Sequence, residues 1–183
     1  MTLDLALRDE ILASVPSLRA FAMSLTGHPD RADDLVQDTL VRAVSNIHRF
    51  EVGTNLNAWL FTILRNLFHS EYRKRRREIE DADGSYAARL SAPPEQGARL
   101  DFADFRKALA HIPVDQREAL LLVGAEGLSY EEAAEVCGVA VGTIKSRVNR
   151  ARIRLAQVLA VKQGEEFAPD PTIRAALQGT SKA

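Results

Sequence analysis

A single cysteine, Cys137, stands in this chain; no internal disulfide can form, and four scattered histidines offer no zinc spacing. Cys137 reads as a small buried packing residue. No apolar run approaches the roughly 20 residues that cross a bilayer. Met1 to Ala13 holds Asp4, Arg8, Asp9 and Glu10 where a secretory signal would hold an unbroken apolar core, so the expected location is the cytoplasm, with no membrane partner. Also missing are a carboxylate pair, a nucleophile with its base, a metal-binding cluster and a phosphate-binding glycine loop, which points away from an enzyme and from any cofactor or metal. Aromatic residues make up only 6%, and there are ten glycines and seven prolines in 183 residues. Such a chain packs with Leu, Ala, Val and Ile and has few helix breakers.

Net charge is nearly absent as well: 24 Lys and Arg offset 25 Asp and Glu, giving -1. Spread evenly, that balance would argue against nucleic acid as a partner. The charge is not spread evenly. Residues 1–64 sum to -3, 65–77 to +5, 78–135 to -8, 136–155 to +5 and the remainder to zero. One basic stretch is Arg65, Arg73, Lys74, Arg75, Arg76 and Arg77 against the lone Glu71; the other is Lys145, Arg147, Arg150, Arg152 and Arg154 with no acid. Either alone could be a solvated helix face.

Apolar residues recur at three- and four-residue spacings, predicting an all-α chain of two small helical domains. Pro16 suits the first turn of a helix presenting Leu18, Phe21, Ala22 and Leu25, stopped at Thr26-Gly27. Pro29 or Asp30 opens the next, with Val36, Leu40, Ala43, Val44 and Ile47 expected inward and Asp33, Asp34, Gln37, Asp38 and Arg42 outward. Its early acids suit the helix dipole without any further role. Phe50 to Asn57 reads as a loop, and Trp59, Leu60, Ile63, Leu64, Leu67, Phe68 and Tyr72 stripe a helix ending in the Arg/Lys run. On that helix Arg65, Asn66, His69, Arg73 and Arg76 share a face away from the Trp59 stripe, which either holds a DNA backbone or is solvated. Residues 78–100 lose the apolar period and read as an acidic, proline-containing linker with a short helix near Tyr86 to Leu90. The expected boundaries are 1–79, a linker over 80–99, a second domain over 100–160 and a tail over 161–183.

In the second block, Phe102, Phe105, Leu109 and Ile112 share a face stopped by Pro113. Another helix runs from Val114 or Asp115 through Val123. Ser129 and Glu132 then form a capping box on a short helix ending at Cys137-Gly138, and a basic helix follows from about Val141 to Leu159. Helix, tight glycine turn and basic helix is the helix-turn-helix pattern. Setting Ile144 at zero and stepping 100° per residue places Val148, Ala151 and Leu155 on its buried face. Ser146, Asn149 and Arg150 lie opposite, with Thr143, Lys145, Arg147, Arg152 and Arg154 at the flanks. Arg150 suits a guanine edge, Ser146 and Asn149 nearby edges or phosphates, and the flanking bases phosphates.

DRADDLVQDTLVRAV, NAWLFTILRNLFHSEYRKRRR and LSYEEAAEVCGVAVGTIKSRVNRARIRL, in that order, resemble the two domains of sigma-70 family factors of the extracytoplasmic-function group. The resemblance covers residues 5–79 and 100–159. The stretch GTNLNAWLFTILRNLFHSEYRKRRREIEDADG resembles the branch that drives the general stress response in alphaproteobacteria. The resemblance implies that Asp33, Asp34, Leu35, Gln37, Asp38 and Leu40 meet the β′ clamp helices of core RNA polymerase, whose β subunit is a further partner. It implies that Asn46, Phe50, Asn55 and Trp59 belong to the segment that captures an unstacked base at the −10 element, with Trp59 equally readable as core. Arg65, Asn66, His69, Arg73 and Arg76 would lie on the −10-binding helix, and Thr143, Lys145, Ser146, Arg147, Asn149, Arg150 and Arg154 on the −35-reading one. It further implies a GGAAC-like −35 sequence, an anti-sigma partner of the NepR type, and association with the nucleoid in holoenzyme. Two rivals remain: a sigma mimic that binds only the anti-sigma factor, which should lack DNA-reading residues, and a dimeric helix-turn-helix repressor, which has no use for the first domain.

Overall fold

Proline and glycine punctuate the helices where local chemistry requires it. In the computed structural model, which describes residues 4–82 and 100–163, with side chains over 4–77 and 105–159, every regular element is helical. Helix α1 (Leu5–Ala13) is capped by the Asp4 carboxylate, and α2 (Val15–Thr26) takes Pro16 in its first turn and ends on Gly27 at φ 69°, a left-handed conformation that glycine adopts without strain. Helix α3 (Pro29–Ser45) opens on Pro29 with Asp30 in its first turn. Ile47, expected on the inward face of that helix, falls instead in a 3-10 turn (Ile47–Arg49) beyond its end, and α4 spans Leu56–Ala82. The helix therefore continues past Arg77, because a run of bases is no helix terminator. The second unit comprises α5 (Leu100–Ala110), α6 (Val114–Gly124), α7 (Tyr130–Cys137) and α8 (Val141–Gln163). The expected linker helix near Tyr86, the rest of the linker and the tail lie outside the described residues.

In the first unit α2, α3 and α4 pack together around Leu18, Phe21, Leu35, Leu60, Phe61 and Leu64, each at most 2% exposed. Phe21 and Phe61 meet edge to face at 5.1 Å between centroids, a favoured aromatic geometry. The buried series on α3 is Ala32, Leu35, Val36, Thr39 and Ala43, spaced by three and four. Val44, expected inward, lies one residue off that stripe and is 49% exposed. Thr39 satisfies its hydroxyl by donating to the Leu35 carbonyl at 2.7 Å.

The second unit centres on α8, which packs on α5, α6 and α7. Ile144, Val148 and Ala151 are at most 1% exposed, as the 100° placement requires. The two units also touch: α7 packs on α4, α5 and α6 reach α2, and one buried apolar cluster runs through both.

Candidate nucleic-acid interface

The helix-turn-helix is built as its sequence indicates. Ser129 Oγ accepts from the Glu132 amide at 3.0 Å, and Glu132 Oε2 accepts from the Ser129 amide at 2.8 Å. Gly138, at φ 65°, closes α7. With its apolar stripe seated, α8 exposes Lys145, Asn149, Arg150, Arg152 and Arg154. The Lys145 ammonium lies 5.7 Å from the centre of the Tyr130 ring, a cation–π separation. Thr143 and Ser146 are half-buried, and Ser146 donates to the Thr143 carbonyl at 2.9 Å. Arg147 departs from the flank expected of it: its side chain is only 20% exposed, and Nε sits 3.2 Å from Asp115 Oδ2 of α6. It braces α8 against α6 in this conformation rather than standing free for a phosphate.

On the first unit, Asn46 donates to the Arg42 carbonyl at 2.9 Å, closing the end of α3. Phe50 and Trp59 are half-buried and tilted against each other at 5.4 Å between centroids. Asn55 precedes α4, and its Oδ1 accepts from the Ala58 amide at 3.2 Å, as a helix N-cap does. Asn66, Arg73 and Arg76 lie at the surface. Arg65 and His69 do not. Both turn into the contact between the units, where Glu118 of α6, with 0% of its side chain exposed, places Oε2 at 3.0 Å from Arg65 Nε and Oε1 at 2.7 Å from His69 Nε2. The sequence offered that face DNA or water; the partner it has here is a carboxylate of the second unit.

Two further contacts join the units. Asn55 Nδ2 donates to Glu132 Oε1 at 2.7 Å, and this bond, with the Ser129 amide, holds the Glu132 carboxyl below the usual carboxylate range. Arg117, 5% exposed, donates to the Ser24 carbonyl on α2 and, at 3.0 Å, to the Ile112 carbonyl. Burial lowers its guanidinium from the usual arginine range. Glu118, Arg117 and the second role of Glu132 carry no local sequence signal: their partners in the first unit lie 49 or more residues away. Cys137 is buried, which pushes its thiol up to about 11 and leaves it a packing residue.

On α3, Asp34, Gln37 and Asp38 are exposed and line a cleft completed by Arg31, Glu71, Lys74 and Arg75. Asp33 is gripped by Arg19, with Nε to Oδ1 at 2.5 Å and Nη2 to Oδ2 at 3.1 Å, and that hydrogen bond lowers the Asp33 carboxyl. Leu40 is half-buried. Leu35 is a correction: at 2% exposed it belongs to the buried series of α3 and cannot meet a partner at the surface.

Comparison with known proteins agrees with these two units. Residues 11–78 match sigma-70 region 2, and residues 102–155 match sigma-70 region 4. The chain is 65% identical over 179 residues to the ECF RNA polymerase sigma factor EcfG of Rhodopseudomonas palustris, covering 98% of this chain and 99% of that one. It is 39% identical over 122 residues, 66% of each chain, to the probable RNA polymerase sigma-C factor of Mycobacterium bovis. Among solved structures it is similar to the sigma factor RpoE of Bartonella quintana, crystallised with the anti-sigma factor NepR. That match has a TM-score of 0.75 and 55% identity, and covers 84% of this chain and 96% of that one. CnrH, solved with the cytosolic domain of CnrY, matches with a TM-score of 0.63 and 27% identity over 84% of this chain and 86% of that one.

Proposed function

The chain belongs to the extracytoplasmic-function group of sigma-70 RNA polymerase sigma factors, and on that premise we propose how its two helical units divide the recognition of a promoter. The second unit enters the −35 major groove with α8. Arg150 presents a two-donor fork to a guanine edge, Asn149 reads an adjacent edge, and Thr143, Lys145, Ser146 and Arg154 hold phosphates. Arg147 joins them once it leaves Asp115.

The first unit takes the −10 element. Asn66, Arg73 and Arg76 follow the backbone, and Arg65 and His69 join them when they leave Glu118. Asn46, Phe50, Asn55 and Trp59 supply polar edges and an aromatic surface for one unstacked base. Melting then needs no bond chemistry and no catalytic group. A site that holds the separated strand better than the duplex draws the equilibrium toward open DNA. Asp33, Asp34, Gln37 and Asp38, with Leu40 beside them, present an acidic face to the β′ clamp helices of core polymerase, while Leu35 supports that face from beneath. These events belong to the cytoplasm and the nucleoid; no described helix is long and apolar enough to cross a membrane.

The observation that carries this reading is the exposed row Lys145, Asn149 and Arg150 on a capped helix-turn-helix, in one chain with a region 2 unit. The same row disfavours a mimic that never meets DNA, and the region 2 unit disfavours a dimeric repressor. Similarity to EcfG along nearly the whole chain supports assignment to the general stress response, with a GGAAC-like −35 element. Similarity to RpoE, crystallised with NepR, supports an anti-sigma partner of that type. In vitro transcription by core polymerase plus this chain, on a library of promoter sequences, tests the reading. Selective initiation at templates sharing a −35 and a −10 element is expected; no initiation above core polymerase alone would overturn it.

A further inference from the structure

Neighbouring residues of α6 carry opposite charges into opposite parts of the first unit. Glu118 is fully buried between Arg65 and His69 of α4. Arg117 reaches the Ser24 carbonyl near the end of α2, where unsatisfied carbonyls and the helix dipole favour a cation. Arg65 and His69 are four residues apart and so share one face, and with Asn55, held by Glu132, they make three of the side chains assigned above to −10 recognition. What occupies the space between Arg65 and His69 is an anionic oxygen pair, the same chemistry a DNA phosphate presents.

We propose that Glu118 is an internal phosphate mimic and that Glu118 and Arg117 together form a latch, closing the second unit over the −10 face of the free chain. Opening the latch uncovers Arg65 and His69, releases Asn55 from Glu132, and frees α8 from a fixed position on the first unit. Desolvation explains why the latch can be selective without being permanent. A buried carboxylate held by a guanidinium and an imidazole gains little over its hydrated form, while removal of the guanidinium leaves a buried charge uncompensated. A partner that stabilises the separated units shifts the population toward the open state, and core polymerase, taking the first unit by the acidic face of α3 while promoter DNA takes α8, is that partner. The inference rests on the sigma-factor reading of the −10 face.

The test uses the full chain and Glu118→Gln, which preserves volume and removes the charge. The free protein is titrated into a labelled single-stranded −10 oligonucleotide and followed by fluorescence anisotropy. Small-angle scattering reports separation of the units, and transcription with saturating core polymerase is run in parallel. The latch predicts a larger radius of gyration for E118Q and oligonucleotide binding tighter by about fivefold or more, a factor of ten corresponding to about 1.4 kcal/mol. Transcription by saturated holoenzyme is expected to stay at the level of the parent chain. Equal or weaker oligonucleotide binding by a folded E118Q, with unchanged scattering, overturns the latch while leaving the sigma reading intact. Loss of transcription by the parent chain itself counts against the reading on which the latch rests. Should E118Q fail to fold, Arg117→Met carries the same expectations, since it fills the buried volume and leaves Arg65, His69 and Glu118 untouched.

Discussion

Asn55, at the start of α4 in the first unit, and Glu132, in the first turn of α7 in the second, are joined by a 2.7 Å hydrogen bond across 77 residues of sequence. Glu132 simultaneously closes the capping box of α7 through its other oxygen. One carboxylate thus ties the integrity of the helix-turn-helix to the position of the loop assigned to base capture.

The Glu132 carboxyl is lowered first by Asn55 and then by the Ser129 amide. A depressed folded value means stability that is present above the unfolded pKa, near the ordinary 4.5, and is lost as pH falls through the lower folded value. Carboxyl titration by NMR is expected to show the Glu132 midpoint moving upward, toward the ordinary range, in Asn55→Ala. An unchanged midpoint would mean that the bond does not form in solution. Glu132→Ala additionally removes the capping box and is expected to cost about 1 kcal/mol in urea unfolding.

Arg150→Ala is expected to lower transcription from a −35-dependent promoter by about 1–3 kcal/mol of discrimination, about fivefold or more, and to relax preference at a single base position. Pull-down by core polymerase should be unaffected. Full transcription by the variant across a −35 library would remove Arg150 from the recognition face.

Asp34→Lys places a cation in the cleft that Asp38 shares with Arg31, Lys74 and Arg75. Weaker capture by core polymerase is expected in a competition assay, together with an unchanged melting temperature, because Asp34 is exposed. Equal retention of variant and parent would take this face out of the polymerase contact.

Phe61 is 1% exposed and meets Phe21 edge to face. Phe61→Ala is expected to destabilise the chain by about 3–5 kcal/mol, through lost transfer energy and the cavity left behind. Chemical denaturation monitored by circular dichroism measures this directly; a loss below about 1 kcal/mol would indicate that the helices around Phe21 collapse into the space.

What could be read without coordinates was whatever acts over a few residues. Ser129 and Glu132 form the capping box because partners three apart meet in any first helical turn. Ile144, Val148 and Ala151 are buried because the helical period alone brings them together. Leu35 was misplaced for a related reason: it stood among residues matched to a binding surface, while its spacing from Ala32 and Thr39 puts it in the buried series. Val44 failed in the opposite direction, an apolar side chain one position off the stripe. Glu118 could not be found at all. Within the run from Arg117 to Val123 it resembles any solvated acid, and only tertiary packing brings Arg65, 53 residues away, to its side.

Arg117 and Glu118 are consecutive on α6, so their side chains leave the helix about 100° apart. Two contacts between two bodies leave only rotation about the line that joins them; the Arg117 bond to a carbonyl on α2, the Glu118 contact with Arg65 and His69 on α4 and the Asn55–Glu132 bond together remove it. Swivelling or sliding the docked second unit partway strands Glu118 and leaves Arg117 only the Ile112 carbonyl of its own unit, so the release proposed above is all-or-none. Because Arg117 and Glu118 emerge together and offset each other, the charge that release adds to the face presented to DNA is that of Arg65.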